Sequence, residues 1–404
     1  MFEVKVENTS KEYDVIVVGG GVSGAIAAIA AARYGGDVLL IEQNGFLGGT
    51  LTASGVGPMM TFHAGNVQVI QGITDELIER LKRQGKSTGH ILDTTGYTYT
   101  VTPFDAEAMK HELELMLIES GGQVLYHTML ASVDCKDGSI GQIIVCNKAG
   151  LSALKAKCYV DASGDADLSV WAGVEYAKGR EADGLCQPMT MNLKMYNVDM
   201  DAVKSYIREH PEEFPKLGGD IGNIDRSSRL SISEFLKVFA DALLEGEITF
   251  QRGNFLFFET NNPGEVIINT SRIHGKDGTD PMSLSEAETE GRQQIRQLEK
   301  ALNTRVPGFS KAVTAYSGPS VGVRGTRQIK GLYTLGHQDV LSCRAFTDVI
   351  AHSGYPIDIH SPDGKHAEEN HLRLKWGDMY IRSILRSNTK ELTARRHGVC
   401  NSIL

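Results

Sequence analysis

The 404-residue sequence has little that would mark a metalloprotein, a nucleic-acid binder or a secreted domain. Its six cysteines are Cys135, Cys146, Cys158, Cys186, Cys343 and Cys400, and no two stand at C-x-x-C spacing. That spacing supports neither a zinc ribbon nor an iron–sulfur cradle, and no metal site is expected. Free thiols are the better reading, with a disulfide between distant members left open. There is no large basic field: 41 Lys and Arg face 50 Asp and Glu, a net charge of −9, which argues against nucleic acid as a partner. The polar, mixed-charge start, Met1–Asp14, lacks the basic segment and apolar core of a secretory signal, and a cytoplasmic location is expected. Long apolar runs are scarce. The exception, Val15–Ala32, is 18 residues without charge, near the length that crosses a bilayer, but it carries three consecutive glycines and Gly24, which argue against a membrane span. No Ser/His/Asp array, internal repeat or low-complexity tract stands out. At 41% hydrophobic and 23% charged, the chain reads as globular and is long enough for two or three packed modules.

What is present begins inside that same run. The apolar residues Val15–Val18 end at a glycine cluster in which Gly19, Gly21 and Gly24 have G-x-G-x-x-G spacing. An alanine-rich stretch of one helix length follows. A second apolar run, Val38–Ile41, then ends at Glu42, 18 residues beyond Gly24. Strand, phosphate-binding turn, helix, strand and terminal acid all agree, and together they predict the first half of a dinucleotide-binding fold. Gly19 permits a sharp turn, Gly21 lets backbone N–H groups approach a pyrophosphate, and Gly24 lets the helix pack on the strands with Ala28. The helix N-terminus offers unpaired N–H groups and partial positive charge, through Gly20, Val22 and Ser23 as well as the fingerprint glycines. Glu42, with Gln43 beside it, would receive the ribose hydroxyls, and an acid there disfavours a 2′-phosphate.

Further along, Leu51–Ala64 is rich in glycine, methionine and threonine and could pass close to a flat ligand, or form a plain surface loop. The pattern predicts helices over Thr74–Gln84 and Phe104–Ser120, the second with Asp105 as N-cap. Strands are predicted over Val124–Val133 and Ile140–Val145, joined at Asp137-Gly138. The run Cys158–Asp167 reads as a short strand ending in a small-residue turn flanked by acids. From Cys186 to Phe258 the character shifts, with Met189, Met191, Met195 and Met200 reading as core filler, as in an inserted module. Helices are predicted over Ser231–Gly246 and Ser285–Asn303, the latter opened by a Ser285/Glu288 capping box.

These segments resemble the bacterial FAD-dependent oxidoreductases related to the flavin subunit of heterodisulfide reductase, within the glutathione-reductase-like flavoproteins. The resemblance covers about Asp14 to Lys365. It rests on Gly19–Glu42, on Gly48-Gly49-Thr50 and on Val160–Asp165. More specific are Ile268-Asn269-Thr270-Ser271-Arg272, Gly322–Arg327 and Tyr355-Pro356-Ile357-Asp358-Ile359-His360. It implies an α/β fold: a Rossmann-like FAD-binding domain with a central parallel sheet and β-meander, and an inserted α+β substrate domain. The corresponding boundaries are 12–50, 105–180 and 310–380 for the FAD-binding domain and 51–104 and 181–309 for the substrate-facing regions. It also implies FAD against Gly19, Gly20, Gly21, Val22, Ser23, Gly24, Glu42, Gln43, Gly48, Gly49 and Thr50. The second contact segment would be Asp161, Ala162, Ser163, Gly164 and Asp165. Iron–sulfur clusters occur in related proteins, but the cysteine spacing for them is missing here. The segment 381–404 departs from the family pattern: five basic residues and one acid stand where a late strand with a glycine turn is expected, which suggests a truncated product or a basic amphipathic terminal helix.

The implied activity is electron or hydride transfer through FAD between a small, anionic or neutral molecule and an unidentified acceptor, a redox partner protein being one candidate. Arg324 and Arg327 are candidate contacts to substrate or flavin, because a guanidinium can hold a carboxylate in a fork. Both could equally be structural ion pairs. His63 and His360 are candidate proton donors or acceptors, with Tyr333 and Tyr355 weaker ones. Two alternatives stand beside this reading: an impaired remnant that binds only the adenosine end of FAD, and a dehydrogenase with NAD in the same fingerprint.

Overall fold

The computed structural model describes residues 5–217, 220–347 and 349–364, and the backbone of 383–386. β1 spans Val6–Val18, α1 Val22–Arg33 and β2 Val38–Ile41. β1 lies between β2 and the strand Gly150–Asp161, parallel to both. Gln123–Leu125 adds a fourth parallel strand on the far side of β2. The antiparallel strands Ser139–Asn147 and Met129–Lys136 complete the six-stranded sheet.

Alternation along β1 builds two cores, as the two faces of a strand require. Val17 packs with α1, with α2 (Ile73–Arg83) and with α3 (Ala106–Glu119). Ile16 and Val18 pack on the opposite face with Leu39, Ile41, Ile143 and Val145. Ala25, Ala28 and Ala32 are buried in α1, so the small side chains hold that helix close to the sheet. α3 is capped by Asp105, whose carboxylate accepts from the N–H groups of Glu107 and Ala108, as predicted.

Three expectations are corrected. The predicted strand Val124–Val133 is two strands at opposite edges of the sheet, broken at His127, whose φ is 51°. Residues 126–128 can bridge no more than about 14 Å, so the sheet coils until its two edges come close. The helix predicted over Ser231–Gly246 is a short strand, Ser231–Ile232, then a helix, Leu236–Leu244. The long helix begins four residues earlier than expected, at Pro281, and runs to Arg305; its N-cap is Asp280, while the Ser285 hydroxyl donates back to the Pro281 carbonyl. Proline in the first turn, with an aspartate ahead of it, was the stronger start signal.

A second, antiparallel sheet has the order Ser231–Ile232, Phe257–Glu259, Val266–Ile268, Leu193–Tyr196, Val313–Ser317. Its core takes in Met189, Met191, Met195, Phe235, Phe257 and Leu298, so these methionines are core residues. Val349–Ser353 pairs with Ser383–Arg386. The remainder of the basic segment 381–404 lies outside the described residues. Among the described residues no helix is long and apolar enough to cross a membrane, and the five described cysteines are free.

Candidate functional site

The turn after β1 is shaped by close backbone approaches. A Cβ on Gly19 would stand 2.3 Å from the Ala162 carbonyl oxygen, and one on Gly24 would stand 1.9 Å from the Gly19 carbonyl oxygen. Neither could be tolerated without moving the backbone. Gly21 differs: a Cβ there would meet only the Gly49 Cα, at 3.9 Å, so its side is open. Gly21 is also the N-cap of α1, and no side chain caps that helix. Its first N–H groups therefore face outward with the positive end of the helix dipole. Gly21 and Gly48 form an isolated bridge, and Gly48, with φ 110°, donates to the Gly20 carbonyl at 2.9 Å. The Gly48–Thr50 segment thus lies directly beside the turn.

Glu42 is buried at the end of β2. Its Oε2 accepts from the Gly20 N–H at 2.6 Å, and its Oε1 accepts from the backbone and side-chain N–H of Asn44. Oε2 keeps one acceptor position. Asp161 is more fully engaged. One carboxylate oxygen accepts from the N–H and hydroxyl of Ser163, the other from the N–H and hydroxyl of Ser169. Its side chain fixes the turn Ala162–Asp165 in place. Asp165 accepts from the Thr326 hydroxyl at 2.5 Å, and Asp167 pairs with Arg327. Burial raises the pKa of both acids. Arg327 is therefore bound to this turn and does not join Arg324.

Arg324 belongs to another group. Its Nε donates to the Pro188 carbonyl at 3.0 Å and a terminal N–H donates to the Thr190 hydroxyl at 2.7 Å. Arg272 reaches the same hydroxyl at 3.4 Å. His360 lies between Arg272, at 3.5 Å from Nδ1, and Asp358, at 3.5 Å from Nε2. The Tyr355 hydroxyl donates to Asp358 at 3.3 Å, and the Tyr355 ring meets Tyr97 edge-on with centroids 5.7 Å apart. Burial pushes the His360 pKa down to about 4; Arg324 and Arg272 push the same way, and Asp358 opposes them. His360 is therefore neutral near pH 7. Burial also lowers the pKa of Arg324 and raises those of Tyr97 and Tyr355.

Short contacts link this group to the glycine-rich turn. Thr190 exchanges backbone hydrogen bonds with Gly322. Asn192, two residues on, donates to the Ser54 carbonyl at 2.8 Å, and Ser54 lies just past the Gly48–Thr50 segment. His63 faces a different neighbourhood: its Nδ1 bonds Thr100 at 2.9 Å, and its ring meets His90 edge-on at 5.2 Å. Burial, then His90, lowers its pKa. Its carbonyl lies against Gly354, where a Cβ would stand 2.6 Å away. Tyr333 instead accepts from Arg344. His210, Glu212 and Glu213 bring three metal-type ligand atoms together, but Glu213 already accepts from Tyr206 and from the Lys237 N–H. Sequence reasoning did not single out Thr190, Asp358 or Tyr97, and it named Arg272 only within a motif. Asp358 and Arg272 carried that motif signal; Thr190 and Tyr97 carried none.

A parallel sheet, an uncapped helix at a glycine turn and an acid ending the second strand define a Rossmann-type dinucleotide-binding protein. The chain belongs to the FAD dependent oxidoreductase family, whose model matches residues 14–393. It is 25% identical over 200 residues to digeranylgeranylglycerophospholipid reductase 2 of Methanothermobacter thermautotrophicus, covering 48% of this chain and 50% of that protein. It is 25% identical over 205 residues to the digeranylgeranylglycerophospholipid reductase of Thermoplasma volcanium, covering 47% of this chain and 48% of that one. The chain spans about half the length of these curated relatives. Among solved structures, L-proline dehydrogenase from P. horikoshii aligns with a TM-score of 0.48 and 12% identity, over 78% of this chain and 82% of that one.

Proposed function

We propose that the chain holds FAD along the glycine turn and transfers electrons between a small molecule and a separate acceptor. The observation that carries this is the paired geometry at the turn. Gly19 and Gly24 are closed by backbone, while Gly21 stands open before an uncapped helix N-terminus. That is a cradle for a pyrophosphate. Gly20–Gly24 would hold the phosphates. The remaining acceptor position on Glu42, with Gln43 next to it, would take a ribose hydroxyl. Gly48–Thr50 and the turn Ala162–Asp165, positioned by Asp161, would lie along the rest of the cofactor.

Bound FAD supplies the redox chemistry; the protein supplies position and charge. Arg324 and Arg272 orient a substrate beside Thr190. His360, neutral near pH 7, is held between Arg272 and Asp358 and offers its ring as a polar contact to the substrate. The electron acceptor is a small molecule or a redox partner protein, and the setting is the cytoplasm. Kinship with heterodisulfide-reductase flavin subunits rests on the segments 268–272, 322–327 and 355–360.

The test is the visible absorption spectrum of the purified chain before and after adding FAD. A flavin spectrum at near one FAD per chain is expected. Colourless protein that is thermally stabilised by NAD and not by FAD would replace this reading with a nicotinamide site.

A further inference from the structure

Resting on the flavin reading for its place in the reaction, we infer that Arg324 and Arg272 form a carboxylate-binding subsite and that the substrate is a small molecule bearing a carboxylate. Three observations carry this. First, Arg324 makes its hydrogen bonds to neutral oxygens only, a backbone carbonyl and the Thr190 hydroxyl, and among the described residues it forms no ion pair. The Asp358 carboxylate is near enough to act on the Arg324 charge but is not bonded to its guanidinium, and a half-buried guanidinium with no anion hydrogen-bonded to it is better satisfied when one binds.

Second, Thr190 draws both guanidinium groups to one point, since Arg272 and Arg324 each donate to its hydroxyl. Two planar forks side by side match the two oxygens of a carboxylate better than a point charge would. Third, the surrounding groups are suited to an organic acid and not to a bare ion. The Tyr97 and Tyr355 rings, set edge-on to each other, supply half-buried aromatic surface, and Asp358 is taken up by the Tyr355 hydroxyl and His360. Arg272, Arg324, Tyr97, Tyr355 and His360 are each only partly buried as whole residues. Five separate chain segments converge here, from residues 97, 190, 272, 324 and 355–360.

The experiment is a thermal-shift series at constant ionic strength and pH 7. The probes are acetate, succinate, neutral succinamide and inorganic phosphate, each with and without FAD. Succinate or acetate should raise the melting temperature of the wild-type chain, with succinamide inert and phosphate weaker. Arg324→Gln and Arg324→Lys should weaken the carboxylate response at least about tenfold in apparent Kd, the lysine variant because it keeps the charge and loses the fork. Arg344→Gln, at an exposed arginine paired with Asp339, should leave it unchanged. Should the Arg324 variants fail to fold, phenylglyoxal labelling of the wild-type chain gives the same answer: succinate should protect Arg324 and Arg272 and not Arg344. Equal stabilisation by phosphate and carboxylates, no stabilisation at all, or no protection of Arg324 would overturn the inference. A colourless chain that still shows Arg324-dependent carboxylate binding would remove the flavin reading and leave this one standing. A yellow chain with no carboxylate response would do the reverse.

Discussion

The glycine turn is made of backbone, whereas the group around Arg324 is made of side chains. At the turn, Gly19 and Gly24 are set by what a Cβ would strike, and the helix N-terminus needs no particular side chain to offer its N–H groups. Around Arg324, every feature depends on the identity of a residue brought from far along the chain. A site made of backbone is local and leaves a spacing in the sequence. One made of side chains is assembled by the fold, and its members look ordinary until the fold is known.

Gly24→Val would break the first kind of site most severely. Its Cβ would stand 1.9 Å from the Gly19 carbonyl, so helix and strand must separate. A loss of more than about 3 kcal/mol is expected, seen as insoluble protein or a collapsed melting transition. A soluble variant with wild-type melting would show that α1 does not pack as described.

Asp161→Ala tests a side chain inside the backbone region. The N–H and hydroxyl of the buried Ser169, and those of Ser163, would lose their acceptor. Urea unfolding should show a loss of roughly 2–4 kcal/mol. A change below about 1 kcal/mol would mean that the turn holds without its carboxylate.

His360 sharpens the comparison from the other end. Its folded pKa, about 4, lies below the ordinary value of 6.5. The unfolded chain therefore binds the proton more readily between pH 6.5 and 4, and stability falls as pH drops through that window. The contribution is at most about 3 kcal/mol at the acid end. His360→Ala should flatten the melting temperature across pH 6.5 to 4 relative to wild type, and parallel curves would place His360 in a solvated setting.

The sequence made the first region legible because each of its requirements is a residue type at a fixed distance: Gly19, Gly21, Gly24 and then Glu42. Asp105 was legible for the same reason, as a cap one residue ahead of a periodic helix. The polar half of β1, Val6 to Asp14, was missed because it is mostly exposed and shows no alternation. His127 hid the break between two strands, since nothing but its left-handed backbone marks the turn. Arg324 was singled out from its motif, and Arg327 with it. Only the fold shows that Arg327 pairs with Asp167 while Arg324 turns toward Thr190. Tyr97 and Thr190 could not have been found from spacing, because their partners are remote in the chain.

The central claim is that the open side of Gly21 faces the phosphates of FAD. It is tested most directly by calorimetric titration of FAD into the wild-type chain and Gly21→Ala. The new Cβ would meet nothing closer than the Gly49 Cα at 3.9 Å, and Gly21 has an ordinary negative φ of −59°. The account predicts an FAD-free melting temperature unchanged within a few degrees, and an FAD Kd raised at least about tenfold, or about 1.4 kcal/mol. Equal FAD affinity in the two proteins, or no FAD binding by the wild-type chain, would contradict it.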